Sequence, residues 1–216
     1  LYKPALPRTI RRLELSGTKS DSPSTQEFFV VDVEATGPEL TRHSLIEVGV
    51  VRANNMEDTF HCFVKPAEDA VVDTWVKQNI PHVVKAAREE GLSVQEAAEK
   101  LRAWVLETAG DSVPVLVGYV MSLDSRALNK LFEEGTGPGS NPFHYKALDI
   151  YPLAMGALGA PWGFPRESMD YWIGVEPMGE GEAHNALFDA KQHAREFNAL
   201  RKIMEARFRA FQNPDG

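Results

Sequence analysis

Cysteine and long apolar segments are what this sequence most clearly lacks. Cys62 is the single cysteine among 216 residues, which excludes an intrachain disulfide framework and a cysteine-rich zinc site. No apolar run approaches the roughly 18 residues that a membrane span needs, and the N-terminus has no continuous apolar segment typical of a signal peptide. We expect a cytoplasmic protein without a membrane partner, or an organellar one if its basic, hydroxyl-rich N-terminus is a transit remnant.

Basic residues are scarce outside the N-terminal segment. Residues 1–26 hold five basic and two acidic side chains, a net charge of +3; the whole chain carries -8, which leaves -11 for the rest. Such an acidic body is unsuited to coating long nucleic acids by charge alone, although it can hold one strand end through metal ions. Prolines and serines interrupt the first segment. We predict a flexible basic arm over 1–26 and one domain over 27–216.

Three β-rich segments follow the arm. Residues 28–33 form a nearly continuous apolar run, as expected for a strand that is covered on both faces. Residues 45–52 are also β-rich, and residues 57–64 alternate apolar and polar side chains, with a turn signal at Asn54-Asn55 between the two segments. The three segments predict an antiparallel meander.

The second half of the chain alternates between strand and helix. Ser93 and Glu96 form a capping box that opens a helix to about Thr108, and a long helix over 185–208 closes the chain. Between them lie predicted strands over 113–119 and 147–150, a helix over 123–132 and a loop over 135–142. Hairpin-linked strands followed by strand–helix alternation predict an α/β fold, a mixed sheet with helices packed on it.

An acidic pair ends the first predicted strand. Asp32 and Glu34 are two residues apart, so their side chains point to the same face. Two like charges about 4 Å apart repel by roughly 4 kcal/mol at an effective dielectric near 20. A folded protein avoids this arrangement unless a proton or a cation compensates it, or unless the strand end is solvated.

Three further residues complete a set that no single motif would define. Asp124 begins the helix after the 113–119 strand, and His184 and Asp189 stand at the start of the last helix. Taken singly, each has an ordinary explanation in helix capping, in the helix dipole or as a loop residue. Together with the acidic pair they form a pattern of four carboxylates and one histidine from distant segments of the chain.

In these motifs the chain resembles the DEDDh, or DnaQ-like, 3'-5' exonucleases, over about residues 28–200. The motifs are Phe-Phe-Val-Val-Asp32-Val-Glu34-Ala-Thr-Gly and His184-Asn-Ala-Leu-Phe-Asp189-Ala. The family often has Gly-His-Asn before its middle Asp, whereas this chain has Gly-Tyr-Val, so Asp149 is kept as an alternative to Asp124. The sister family has Tyr four residues before its last Asp, where this chain has Asn185. The resemblance implies a ribonuclease H-like fold, a mixed five-stranded sheet of three antiparallel and two parallel strands flanked by helices.

The resemblance also implies a two-metal hydrolase. Asp32, Glu34 and Asp189 would bind one Mg²⁺ or Mn²⁺ ion, and Asp32 and Asp124 a second. His184 would be the general base, since imidazole titrates near neutral pH; His193, one turn beyond Asp189, competes for that role. The reaction would release 5'-mononucleotides from the 3' end of single-stranded RNA or DNA.

Substrate contacts and partners follow from the same resemblance. Glu34 and the backbone of Thr36 would contact the terminal sugar, Leu40 would wedge beside the last base, and Tyr119 would add aromatic surface. The tryptophans, Trp75 among them, are expected to be packing residues. A homodimer, or a polymerase or larger assembly, is a further expected partner. Two alternatives stay open: a binding or scaffolding module without turnover, and a phosphoesterase of small nucleotides.

Overall fold

A computed structural model describes residues 25–161, 163–176 and 184–212. Residues 1–24 lie outside this range, so the basic arm over 1–26 stays a prediction, as does the domain boundary at residue 27. Order in the described part begins with the first strand, β1, at Gln26, two residues before the predicted start. Among the described residues, no helix is long and apolar enough to span a membrane.

Five strands form one mixed sheet, as predicted. The strands are β1 (Gln26–Ala35), β2 (Leu45–Arg52), β3 (Thr59–Phe63), β4 (Val113–Gly118) and β5 (Leu148–Asp149), in the spatial order β3-β2-β1-β4-β5. β1, β2 and β3 pair antiparallel, whereas β4 runs parallel to β1, and β5 parallel to β4. β1 is therefore the central strand, and it is paired on both edges.

Seven helices lie in the described part of the chain. They are α1 (Thr74–Asn79), α2 (Pro81–Glu90), α3 (Val94–Ala109), α4 (Asp124–Thr136), α5 (Ile150–Leu158), α6 (Arg166–Ile173) and α7 (Ala186–Gln212). The predicted capping box opens α3: the backbone N–H groups of Ser93 and Glu96 donate to each other's side chains. α4 and α7 also match predicted helices, each with a C-terminus four residues later than expected. The pattern did not predict α1, α2, α5 and α6, which are all 10 residues or shorter.

Helices cover both faces of the sheet. On one face, Phe29, Val31 and Val33 pack in a core with α3 and α4. On the other face, Val30 and Val117 pack with α5, α6 and α7. Burial on both faces explains why β1 reads as an almost continuous apolar run. Since side chains alternate along a strand, Asp32 and Glu34 point to the same face as Val30, toward α7.

Gly49 allows α7 to begin directly on the sheet. It pairs with Asp32 across the β1–β2 ladder. A Cβ atom at this position would lie 2.3 Å from the backbone of Ala186 and Leu187 in the first turn of α7, which is closer than any van der Waals contact. The absence of a side chain thus sets how closely the start of α7 approaches the two acidic residues of β1.

We predict that Gly49→Ala destabilises the protein and displaces the start of α7. Overpacking of this kind costs about 1–3 kcal/mol, and thermal unfolding measures it. The control is Gly156→Ala on α5, where an added Cβ atom meets nothing within 4 Å and replacing a helical glycine stabilises by roughly 0.5–1 kcal/mol. Equal effects of the two substitutions would contradict the role of Gly49.

Candidate active site

The predicted acidic residues lie at one edge of the sheet, where the parallel strands end. The end of β1 carries Asp32 and Glu34 and lies beside the end of the parallel strand β4, after which the chain enters α4 at Asp124. α7 starts above the adjacent strand β2 and has Asp189 in its first turn. The edge beyond the carboxyl ends of strands is where α/β sheets usually bind ligands.

Glu34, His184 and Asp189 form the closest group. One ligand atom from each lies within 4.8 Å of the other two. His184 Nδ1 is 3.8 Å from Glu34 Oε1, and the backbone N–H of His184 donates to Asp189 Oδ2 at 3.0 Å. His184 has a φ of 65°, a left-handed conformation that turns the chain into α7. The hydrogen bond from the His184 backbone N–H to Asp189 fixes the histidine backbone beside a carboxylate of the site.

Asp32 is the carboxylate most affected by its neighbours. Burial raises its pKa well above the ordinary value, and the charges of Asp124, Asp189 and Glu34 raise it further. Burial also raises the pKa of Glu34 to about 8, again with contributions from nearby carboxylates, and raises the pKa of Asp189. These carboxyl groups therefore share one electrostatic environment, in which every added negative charge is costly.

Asp124 and Asp149, the two candidates for the fourth carboxylate, differ in their hydrogen bonds. Burial raises the pKa of Asp124 to about 7, while a hydrogen bond from the backbone N–H of Val33 lowers it. Asp149 instead accepts hydrogen bonds from the backbone N–H groups of Val120, Met121 and Tyr151, at 3.3, 3.1 and 3.0 Å. Asp149 thus caps α5 and holds the turn that leads to Asp124, which favours Asp124 as the fourth carboxylate.

The set of side chains suits a hard divalent cation. It consists of carboxylate oxygens and one imidazole nitrogen, and carboxylates are the ligands that Mg²⁺ and Mn²⁺ prefer. Among the described residues, no lysine or arginine lies within salt-bridge distance of Asp32 or Glu34, whose nearest basic partners are histidines. A bound cation would relieve the repulsion that raises their pKa values, so the residues present fit metal binding.

His193 differs from His184 in its access to solvent. Its side chain is 3% exposed, neither ring nitrogen has a hydrogen-bond partner among the described residues, and burial lowers its pKa to about 3. The ring stacks on Tyr119, with centroids 5.5 Å apart, and Nδ1 lies 3.8 Å from Asp32 Oδ1. The side chain of His184 is 47% exposed. Of these two imidazole rings, that of His184 is therefore the one accessible to water.

A cavity of about 360 Å³ opens beside Glu34. It is lined by Val33, Glu34, Ala35, Gly37, Pro38, Asp73, Trp75, Val76 and Leu123. Trp75 was expected to be a packing residue, but it is 48% exposed, and its ring meets that of His184 edge to face at 5.1 Å. The site thus has an aromatic wall, which the sequence pattern did not predict.

The predicted sugar and base contacts are arranged differently. Pro38 lines this cavity, whereas Leu40 lines a second one with Ala127 and Lys130. Thr36 is buried, and its backbone N–H, its carbonyl and its hydroxyl all bond within the protein, to Ser44 and Asp73. The contacts give Thr36 a role in fixing the loop after β1; its predicted contact with substrate stays a prediction.

Arg166 and Glu196 are polar residues near the site that the sequence reasoning missed. The guanidinium of Arg166 lies over the ring of Tyr119 at 4.4 Å and bonds to Glu196 Oε1 at 3.2 Å. Its charge lowers the pKa values of Asp32 and Asp189 against the effect of burial. Two signals were available: Arg166 opposes the helix dipole at the start of α6, and Glu196 follows Asp189 by seven residues, on the same helix face.

The fold and this site define a class, the ribonuclease H-like 3'-5' exonucleases, which are hydrolases. The chain belongs to the family described as the 3'-5' exoribonuclease Rv2179c-like domain, whose model matches residues 27–200. It is 30% identical over 182 residues to the 3'-5' DNA exonuclease Cap18 of Escherichia coli, a match that covers 83% of this chain and 95% of that protein. The resemblance to DEDDh exonucleases is confirmed, and an enzyme is favoured over a scaffolding module.

Solved structures show the same fold at lower identity. S. pombe Pop2p with Mg²⁺ and Mn²⁺ bound has a TM-score of 0.62 at 14% identity, over 81% of this chain and 82% of that one. The nuclease domain of 3'hExo, a DEDDh family member bound to rAMP, has a TM-score of 0.60 at 21% identity, over 86% and 95%. At these identities the likeness concerns the fold.

We predict that the metal-free protein loses stability between pH 6.5 and 8. Glu34 and Asp124 have pKa values of about 8 and 7 when folded, against 4.5 and 3.8 ordinarily, so the folded state binds more protons and its stability falls as the pH rises. Burial lowers the pKa of His193 from 6.5 to about 3. This shift makes the stability rise with pH, but only below about pH 6.5. Thermal unfolding in chelator should show Tm falling by several degrees, at about 2–4 °C per kcal/mol.

Excess Mg²⁺ or Mn²⁺ should reduce this fall, because a cation favours the ionised carboxylates. Glu34→Gln should remove part of the pH dependence. Asp111→Asn, at an exposed position after α3, is the matched control and should leave it unchanged. A Tm that is constant across this range in chelator would contradict the prediction.

Proposed function

We propose that this exonuclease releases 5'-mononucleotides one at a time from the 3' end of single-stranded RNA or DNA, with two divalent metal ions and a histidine base. The observation that carries the proposal is the convergence of Glu34, His184 and Asp189 within 4.8 Å, beside Asp32 and Asp124. The family is described as exoribonuclease and the relative as a DNA exonuclease, so both sugars belong in the test.

The proposed metal ligands are the carboxylates at the edge of the sheet. Asp32, Glu34 and Asp189 would hold one Mg²⁺ or Mn²⁺ ion, and Asp32 with Asp124 a second. When bound, such a pair of ions neutralises the phosphate and acidifies the attacking water. Pop2p, which has the same fold, holds Mg²⁺ and Mn²⁺. Burial of these carboxylates, with only Arg166 as a nearby compensating charge on Asp32, supports the same assignment.

His184 is proposed to take the proton of the attacking water. The water oxygen bonds to the phosphorus of the terminal nucleotide, and the bond from that phosphorus to the 3' oxygen of the preceding sugar breaks. The products are a 5'-mononucleotide and a strand with a new 3' hydroxyl group, whose proton comes from solvent. Solvent exposure of the imidazole, and the bond from its backbone N–H to Asp189, support this role.

The terminal nucleotide is proposed to occupy the cavity beside Glu34. Its volume of about 360 Å³ lies within the range of small-molecule sites. Pro38, Val76 and Leu123 provide apolar surface, and the exposed ring of Trp75 provides a surface for stacking. Stacking does not distinguish bases strongly, so we expect little sequence preference. Pro38 takes the position beside the base that had been predicted for Leu40.

The central test is shortening of matched RNA and DNA oligonucleotides that carry a 5' label. With Mg²⁺ or Mn²⁺ we expect stepwise shortening, and excess chelator or Asp189→Asn should reduce its rate by at least about 10³-fold, since a charge-bearing ligand is lost. Asp111→Asn should retain the activity. Shortening that persists in chelator, or in Asp189→Asn, would refute the metal mechanism, and label released from the 5' end would refute the direction.

We predict that His184→Gln lowers kcat by about 10²- to 10⁴-fold, the usual contribution of a general base. The metal-induced increase in Tm should persist, because the carboxylates remain. His144→Gln, remote in sequence and after α4, is the matched control for loss of an imidazole. If His184→Gln instead abolished the metal-induced increase in Tm, the histidine would be a ligand rather than the base.

A further inference from the structure

A third cavity, distinct from the one beside Glu34 and from the one lined by Leu40, lies on the other side of α1. It has a volume of about 420 Å³ and lies between α1 and α2; we call it the α1–α2 groove, lined by Val72, Lys77, Pro81, Val84, Lys85, Arg88 and Glu89. Val72, Pro81 and Val84 give it apolar surface, while the lysines and the arginine are exposed. The groove thus combines an apolar surface with cationic ends of flexible side chains.

The charge of the groove opposes that of the protein. Its lining holds three basic residues and one acidic residue, in a chain whose net charge is -8. The acidic residue, Glu89, lies 4.0 Å from Lys85, and both side chains are more than half exposed. Such surface pairs contribute little, so a phosphate can replace Glu89 as the partner of Lys85. The groove therefore suits an anion better than its surroundings do.

The groove is next to the cavity beside Glu34. α1 separates the two: Val72 and Lys77 line the groove, whereas Asp73, Trp75 and Val76 line the other cavity. With its side chains, a helix is about 10–12 Å across, so a flexible strand that starts in one cavity reaches the other by crossing this single helix. The six residues of α1 thus connect an aromatic wall with a cationic groove.

We propose that the α1–α2 groove binds the backbone phosphates of the substrate strand upstream of its 3' end. The inference rests on the proposed function, because it takes the terminal nucleotide to lie in the cavity beside Glu34. Lys77, Lys85 and Arg88 contact phosphates, which positions the strand without reading its sequence. The dependence of binding on charge within residues 27–216 then comes from a few local contacts, since this part of the chain carries a net charge of -11 and repels the strand.

The test compares oligonucleotides of increasing length, with the triple substitution Lys77→Gln, Lys85→Gln and Arg88→Gln. For a 12-mer we expect kcat/KM to fall on the order of tenfold to a hundredfold, and its dependence on log salt to become shallower by about 0.7 per lost contact. For a dinucleotide, which is too short to cross α1, the rate should be unchanged. The matched control removes three exposed cations elsewhere, by Lys100→Gln, Lys202→Gln and Arg207→Gln.

Binding of a fluorescent 12-mer to the Asp189→Asn protein separates the two hypotheses. If the groove substitutions weaken binding and the control substitutions do not, the groove assignment is supported. This holds even if the wild-type protein cleaves no oligonucleotide, because that result would refute only the proposed function. The groove assignment is refuted if binding is unaffected, if both triple variants weaken it equally, or if the dinucleotide rate falls as much as the 12-mer rate.

Discussion

Repulsion among carboxylates at one edge of the sheet is the constraint around which the rest of the structure is arranged. Asp32 and Glu34 stand on one face of a central strand, and Asp189 is brought to them by α7, whose close approach depends on Gly49. Burial raises their pKa values, that of Glu34 to about 8, and repulsion between the carboxylates raises those of Asp32 and Glu34 further, so a proton or a cation is needed to compensate their charges. The fold thus holds together groups that would separate in a flexible chain, and a bound cation would relieve the repulsion between them.

A second set of contacts holds these residues in place, and it consists of hydrogen bonds between polar groups around the site. Asp149 accepts three backbone hydrogen bonds and fixes the turn before Asp124. Glu196 orients Arg166, whose charge partly offsets the carboxylates from the side of Tyr119. Where the family often has Gly-His-Asn before its middle Asp, this chain has a turn with Val120 at positive φ, held by hydrogen bonds to the half-buried carboxylate of Asp149 in β5.

The sequence predicted those features that arise from local patterns. The apolar run of β1, the capping box of α3 and the long stripe of α7 each follow from neighbouring residues, and the mixed sheet follows from their order. α1, with six residues, has too few turns to show periodicity, and the ten residues of α2 are fewer than the roughly 11–18 over which a helical pattern is usually recognised. Asp32, Glu34 and Asp189 were predicted as one group from the resemblance of their motifs to those of the DEDDh exonucleases. Trp75 and Pro38 line the cavity beside Glu34 because the loop after β1 and α1 meet in space, which no local pattern reports.

Charge distribution connects the site to the kind of substrate that it accepts. A strand of nucleic acid approaching an acidic protein is repelled by most of its surface, and a duplex, with twice the charge per length, is repelled more strongly than a single strand. On the proposed function, attraction within the described residues would come from cations bound beside Asp32 and Glu34 and from the basic residues of the α1–α2 groove, which α1 separates by the width of one helix. A flexible single strand would bend across that helix more readily than a stiff duplex. The acidic body would then contribute to specificity, because it would leave one short route along which an anionic strand end is stabilised.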